Sequence, residues 1–236
     1  MKHRKWTKIC NMGFRKISIR DGKFRKVIDG KELEIDSDVL DVVIVNAASI
    51  SRMFYAGEYD PNRAASPSCW SSNTQAPDPD VPAETRQSSR CIDCEQNIRG
   101  SGGGSSRACK FLQRIAVTIV EDNLYDVFQL QLPATSLFGE AERGWMSMQN
   151  YIKHLVKHDT SATTIVTRIC FEQTSYAPRL RFRPIRVLDE AELKTAIELE
   201  KHPDTLKAIT FNAPPVWSST ASPFDEVEGF TVSEIV

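Results

Sequence analysis

"CWSSNTQAPDPDVPAETRQSSRCIDCEQNIRGSGGGSSRAC", residues 69–109, gathers four of the chain's six cysteines around a segment too polar to pack a core. How that segment is organised decides the fold around it. Cys91 and Cys94 form a C-x2-C knuckle, in which two intervening residues let the backbone turn beneath a shared metal. Twenty-one residues separate Cys69 from Cys91, and fourteen separate Cys94 from Cys109. Four thiolates complete a tetrahedral zinc with no open position, so such a site is architectural and not catalytic. Zinc would supply folding energy that residues 57–110 cannot draw from apolar burial. A redox or disulfide arrangement competes with this reading. In a reducing compartment clustered cysteines are more often metal ligands.

Other motifs carry less. Cys10 and Cys170 are isolated and read as small, partly buried hydrophobes. His154 and His158 are spaced i, i+4 on a predicted helix but lack the helical Glu of a zincin site. "RGSGGGSSR" lacks both the Lys-Ser/Thr end and the preceding strand of a phosphate loop, and reads as a flexible connector. Asp36, Asp38 and Asp41 lie at a strand entry, where solvated turn positions explain them better than a nuclease centre. These readings point away from an enzyme.

Outward from the insertion the chain reads as strands. "FRKISIRDGKFRKVI" is a hairpin turning at Asp21-Gly22, and "VLDVVIVNAASISRMFY" (39–55) is a run long enough for one highly curved strand. "FLQRIAVTIV" (111–120) and "YDVFQLQLPA" (125–134) follow the insertion, then a helical pattern between Ser136 and His158 weakened by Gly139 and Gly144. "ATTIVTRICFEQ" (162–173) and "PRLRFRPIRVL" (178–188) give two more strands, and "DEAELKTAIELEKH" a helix. The expectation is a mainly β (α+β) fold: an OB-like, five-stranded antiparallel barrel with a long zinc-stabilised insertion and one or two helices. A split β-sandwich with an inserted zinc module is the competing architecture. The domain would span 1–211, with 212–236 an acidic, flexible tail.

Charge is uneven although the net is −1. Ten Lys/Arg fall within residues 1–26, and nothing after Lys207 is basic. Within "RLRFRPIR", Arg179, Arg181 and Arg183 share one strand face, opposite Leu180 and Phe182. Arg52, Phe54 and Tyr55, with Lys110, Phe111 and Arg114, repeat the basic and aromatic mixture at the mouths of the insertion. Such a mixture can track a phosphate backbone and stack bases without reading sequence. Trp70 serves equally as a stacking platform or as the apolar plug of a zinc module. The tail "SPFDEVEGFTVSEIV" sets Asp225, Glu226, Glu228 and Glu234 beside Phe224, Phe230 and Ile235, so it can mimic nucleic acid or anchor a partner. No apolar run reaches membrane-spanning length and no signal-peptide core is present, so the expected location is cytoplasmic.

"PSCWSSN", "CIDCEQNIRGSGGGSSRACK", the aliphatic strand after it and "LQLPATSLFG" together resemble bacteriophage single-stranded DNA-binding proteins whose OB-type domain carries a cysteine-rich insertion. The similarity spans about Phe14 to Leu188, and Cys69, Cys91, Cys94 and Cys109 are the residues that match its motif. The resemblance implies sequence-tolerant binding of single strands in phage DNA replication or recombination, within the host cytoplasm. It also implies an acidic tail recruiting replication or recombination proteins, with homo-oligomers on DNA a further option. The alternative function is a structural or assembly protein that uses zinc to rigidify an interaction loop.

Overall fold

The computed structural model describes residues 15–57, 66–172 and 178–211. The first hairpin forms as the sequence suggests, β1 (Lys16–Arg20) turning into β2 (Lys23–Ile28). Its turn residues Asp21 and Gly22 have φ of 55° and 70°. Positive φ at both central positions defines the tight turn whose twist matches two antiparallel strands. The same dipeptide recurs at Asp29-Gly30, with φ of 52° and 78°, and adds β3 (Lys31–Glu34) to the meander. The sequence reading used the first Asp-Gly and passed over the second.

The long apolar run is two strands, β4 (Val39–Ala47) and β5 (Ser51–Phe54). A register shift between Ile44 and Asn46 bends β4, and the chain leaves the ladder before it re-enters at Ser51. β6 (Cys69–Ser71) pairs with β5, and β7 (Lys110–Ile119) pairs with β5 at its start and β4 further on. β8 (Val127–Pro133), β9 (Ile165–Phe171) and β10 (Leu180–Val187) follow. The main sheet runs β10-β9-β4-β7-β8-β1-β2-β3. Every junction in it is antiparallel except β1 on β8, which is parallel.

The sheet is open but curled into a half-barrel. Phe24 on β2 and Phe171 on β9 stand far apart in strand order, yet their ring centroids are 4.6 Å apart across the curl. The mainly β expectation therefore holds, with the barrel present as a curled half-barrel, while the strand number exceeds the expected five. Among the described residues ten strands form, β10 and β3 end the main path, and β6 is an edge on the β5 branch.

Alternation along each strand fills both faces. Leu40, Val42 and Ile44 of β4 point inward with Ile115, Val117, Phe128, Leu130 and Phe182, all buried. The concave side is plugged by α1 (Ala134–Leu137) and α2 (Met148–Lys157), whose Met148, Tyr151 and Leu155 share one buried stripe. The Tyr151 hydroxyl meets that of Thr167 at 2.6 Å, which satisfies both inside the core. α2 starts later than its apolar pattern suggests because Gly139 and Gly144 take φ of 127° and 82°, outside helical geometry.

Val43, Val45, Ala116 and Val166 face the other way and are covered by α3 (Glu190–Glu200) and α4 (Pro203–Ile209) through Ala196 and Ala208. A reciprocal capping box between Asp189 and Glu192 starts α3. α4 has Pro203 in its first turn, and its preceding His202 accepts a hydrogen bond from the Asp204 N–H. Each apolar side chain buried fully in these layers contributes about 1.5–3 kcal/mol relative to exposure. No helix among the described residues is long and apolar enough to cross a membrane.

Candidate metal centre and nucleic-acid interface

The insertion is anchored by strand pairing at both ends. Phe54 pairs with Cys69, Met53 with Trp70 and Arg52 with Ser71, while Arg52 and Met53 also pair with Phe111 and Lys110. Cys69 thus sits on a strand, and Cys109 lies one residue before β7. A small core of Met53, Trp70, Val81 and Leu112 forms beneath. Trp70 is this plug: it is buried, and its indole N–H donates to Asp80 at 3.3 Å.

Polar residues organise the rest. The Asp78 carboxylate accepts from both the backbone and the hydroxyl of Ser72 at 2.9 Å. Around the knuckle, the Cys91 N–H donates to the Gln75 carbonyl and the Cys109 N–H to the Gln96 carbonyl, each at 2.8 Å. Asn97 ties the knuckle itself, donating from its backbone to the Cys94 carbonyl and from its side chain to the Cys91 carbonyl. Arg107 Nε donates to the Asn97 carbonyl at 2.7 Å. The Gly/Ser run is a built turn and not a free connector. A Cβ on Gly102 would lie 2.6 Å from the Arg107 backbone, so only glycine fits there.

Cys69, Cys91, Cys94 and Cys109 line one cavity of about 20 Å3, room for a single water-sized guest. All four are free of disulfides. As they stand, no three His, Cys, Asp or Glu side chains among the described residues are grouped closely enough to hold a metal ion. Burial pushes the Cys109 thiol up to about 12, with Arg52 opposing that push and the other three cysteines adding to it. Burial also raises Cys69, against a hydrogen bond from the Gln87 backbone. In the absence of a cation, then, Cys69 and Cys109 favour the neutral thiol.

The nucleic-acid candidates divide by exposure. Arg52 and Arg114 are buried at 9% and 7% exposure, which removes both, with Trp70, from a surface contact. Arg114 stacks on Phe211 at 4.5 Å, and Arg52 on Phe111 at 4.1 Å. Tyr55 is exposed and its hydroxyl lies 3.2 Å from the Met53 sulfur; Phe54 is half-buried against the Met53/Trp70 core. Lys110 is exposed, with its ammonium 3.2 Å from the Ser106 hydroxyl. Phe111 makes an edge-on contact with Phe138 at 5.5 Å.

The arginine face of β10 exists as its alternation predicts, with Leu180 and Phe182 fully buried behind it. It is partly neutralised. Glu172 accepts from Arg179 and Arg181, Arg181 also donates to the Glu140 carbonyl, and Arg183 stacks on Trp145 at 4.5 Å.

A groove that the sequence reading missed lies beside Lys110. β1 pairs with β8 only at Lys16 and Ile17, then the strands part, because β8 continues to Pro133 alongside β7. The cleft has a volume of about 670 Å3. Lys16, Ser18, Lys110, Phe111, Gln131 and Thr135 are among its walls, and no carboxylate among the described residues lines it. Lys16 was legible only as one of many basic residues near the start of the chain. Its place opposite Lys110 depends on a parallel pairing that no local signal announces. Cys10, the first fourteen residues and the acidic tail lie outside the described residues.

The chain matches no protein-family model, no curated protein and no solved structure.

Proposed function

We propose that this protein binds single-stranded DNA without reading its sequence, through the cleft between β1 and β8, and acts by binding and not by catalysis. The observation that carries the reading is the composition of that cleft: two lysines, an aromatic ring, neutral amides and hydroxyls set among apolar Ile17, Ile19 and Pro133, with no carboxylate among the described residues that line it. Lysines draw phosphates, and a ring edge-locked by Phe138 offers a stacking surface that any base can use. Exposed Tyr55 and the residual positive charge of Arg179, Arg181 and Arg183 extend the same chemistry.

Within this reading the curled sheet serves as an OB-like platform, and Cys69, Cys91, Cys94 and Cys109 hold one structural zinc. What supports this is the donor set: four cysteines free of disulfides border one small cavity, and zinc would draw their sulfurs closer together than they now stand. Zinc would fix the loops that carry Gln96 and Arg107 beside the start of β7. The acidic tail recruits partner proteins, and the setting is phage DNA replication or recombination, as the family resemblance implies.

Fluorescence anisotropy of a labelled dT oligonucleotide tests the reading. Salt-sensitive binding that duplex competitor cannot displace is expected. Absence of binding at low salt would overturn it in favour of an assembly role.

A further inference from the structure

We propose that Arg52 is the charge-compensating donor of the four-cysteine centre, giving a buried guanidinium N–H to a metal-bound sulfur. The inference rests on the zinc reading above and adds to it the residue that makes a dianionic centre tolerable in that place.

The observation is a buried guanidinium two of whose nitrogens have nothing to bond. Arg52 is 9% exposed, and both Nε and Nη1 are fully buried without a hydrogen-bond partner. A guanidinium in that state is strongly unfavourable, since the donors have lost water and gained nothing. The Phe111 ring, 4.1 Å from the guanidinium carbon, engages one face of the plane and none of its N–H edge. Arg52 also lines the same small cavity as the four cysteines. Four neutral thiols offer weak acceptors and no charge.

Binding Zn2+ changes that balance. Four thiolates and one dication carry a net charge of −2, and each coordinated sulfur keeps lone pairs for hydrogen bonds. A guanidinium at the cavity wall then supplies an N–H donor and one positive charge. The strand pairing explains why this residue can do it. Arg52 is paired with Ser71, two residues past Cys69, and with Phe111, two residues past Cys109, so its position is fixed by the strands that follow two ligands. Phe111 in turn forms part of the groove wall. Arg52 therefore stands between the metal centre and the DNA-binding ring.

The test uses the full chain. Zinc affinity is measured by competition with a chromogenic chelator for the wild type, Arg52→Lys and Arg52→Gln. Circular dichroism and thermal melting of each metal-loaded variant check that the sheet is intact. Loss of an outer-sphere partner typically lowers metal affinity about 10–100-fold. The expected order is wild type, then Arg52→Lys, which keeps the charge, then Arg52→Gln, which keeps donors only, weaker by at least tenfold.

A wild-type chain loaded with 113Cd gives an independent readout that needs no altered fold. Scalar coupling between 113Cd and the Arg52 Hε or Hη protons, assigned by their loss in Arg52→Lys, is expected across an N–H···S–Cd bridge. A fully loaded wild type with no such coupling, or an Arg52→Gln variant with wild-type affinity, overturns the role of Arg52 alone. A wild type that takes up neither zinc nor cadmium refutes the four-thiolate centre itself, and the two failures are thereby distinct.

Discussion

Removing the two groove lysines tests the DNA-binding reading most directly. Counterion release makes log Kobs for single strands fall with log[salt] by about 0.7 per phosphate neutralised. Lys16 and Lys110 both border the cleft, and no carboxylate among the described residues lines it. If each meets one phosphate, Lys16→Gln with Lys110→Gln reduces the salt slope by about 1.4. Between 50 and 200 mM salt the logarithm of concentration changes by about 0.6, so each contact accounts for about a 2.6-fold loss and the pair for about sevenfold. The double variant should thus bind more weakly at 50 mM and approach the wild type as salt rises. Anisotropy of labelled dT oligonucleotide at four or more salt concentrations measures the slope. Lys194→Gln is the control, since Lys194 is an exposed residue of α3 outside the cleft. A double variant with the wild-type slope, or a control that lowers it equally, would refute the assignment of the cleft.

Other consequences are as specific. Cys91→Ser should abolish zinc binding and expose residues 69–109 to trypsin at Arg90 and Arg99, as fast as in chelator-treated wild type, while the curled sheet stays resistant; normal zinc content would exclude the four-thiolate centre. Tyr151→Phe leaves the Thr167 hydroxyl unpaired in the core, which costs about 2 kcal/mol and lowers Tm by about 4–8 °C; an unchanged Tm would mean that pair contributes nothing. The Glu192 carboxyl is held down to about 2, mainly by its hydrogen bonds to Arg186, with help from the Asp189 backbone. Its folded pKa is below the ordinary 4.5, so its stabilisation is complete above that pH and is lost as pH falls from about 4.5 toward 2. Solvent screening at this partly exposed pair limits the effect to at most about 1 kcal/mol, so Tm of Glu192→Gln should trail the wild type by no more than about 2–4 °C at pH 7 and converge with it near pH 2. A gap that persists at pH 2 would assign the effect to the helix cap instead.

How far the sequence could be read depended on whether the information was local. Asp21-Gly22 announced its hairpin because one dipeptide determines the turn, and Leu180 and Phe182 announced their burial because strand alternation is fixed by backbone geometry. The C-x2-C knuckle was visible for the same reason. Exposure was less legible. Arg52 and Arg114 look like surface arginines in sequence, and only the pairing of β5 and β7 shows that both are buried, against Phe111 and Phe211 respectively. The cleft was illegible because it arises where β1 and β8, more than a hundred residues apart, pair for two residues and then separate. A two-residue parallel contact has no propensity signature; its effect is to leave Ser18 and Gln131 facing an unfilled gap. The same non-local pairing brings Lys16 to the side of Lys110 and the insertion. The end of the polar insertion at Ser106 and Lys110 and the Lys16 end of β1, which read separately as a metal module and a charged arm, become two walls of one groove. For that reason the proposed zinc centre and the proposed DNA-binding surface should not vary independently: loosening residues 69–109 would remove Ser106 and the start of β7 from the groove even when every lysine remains.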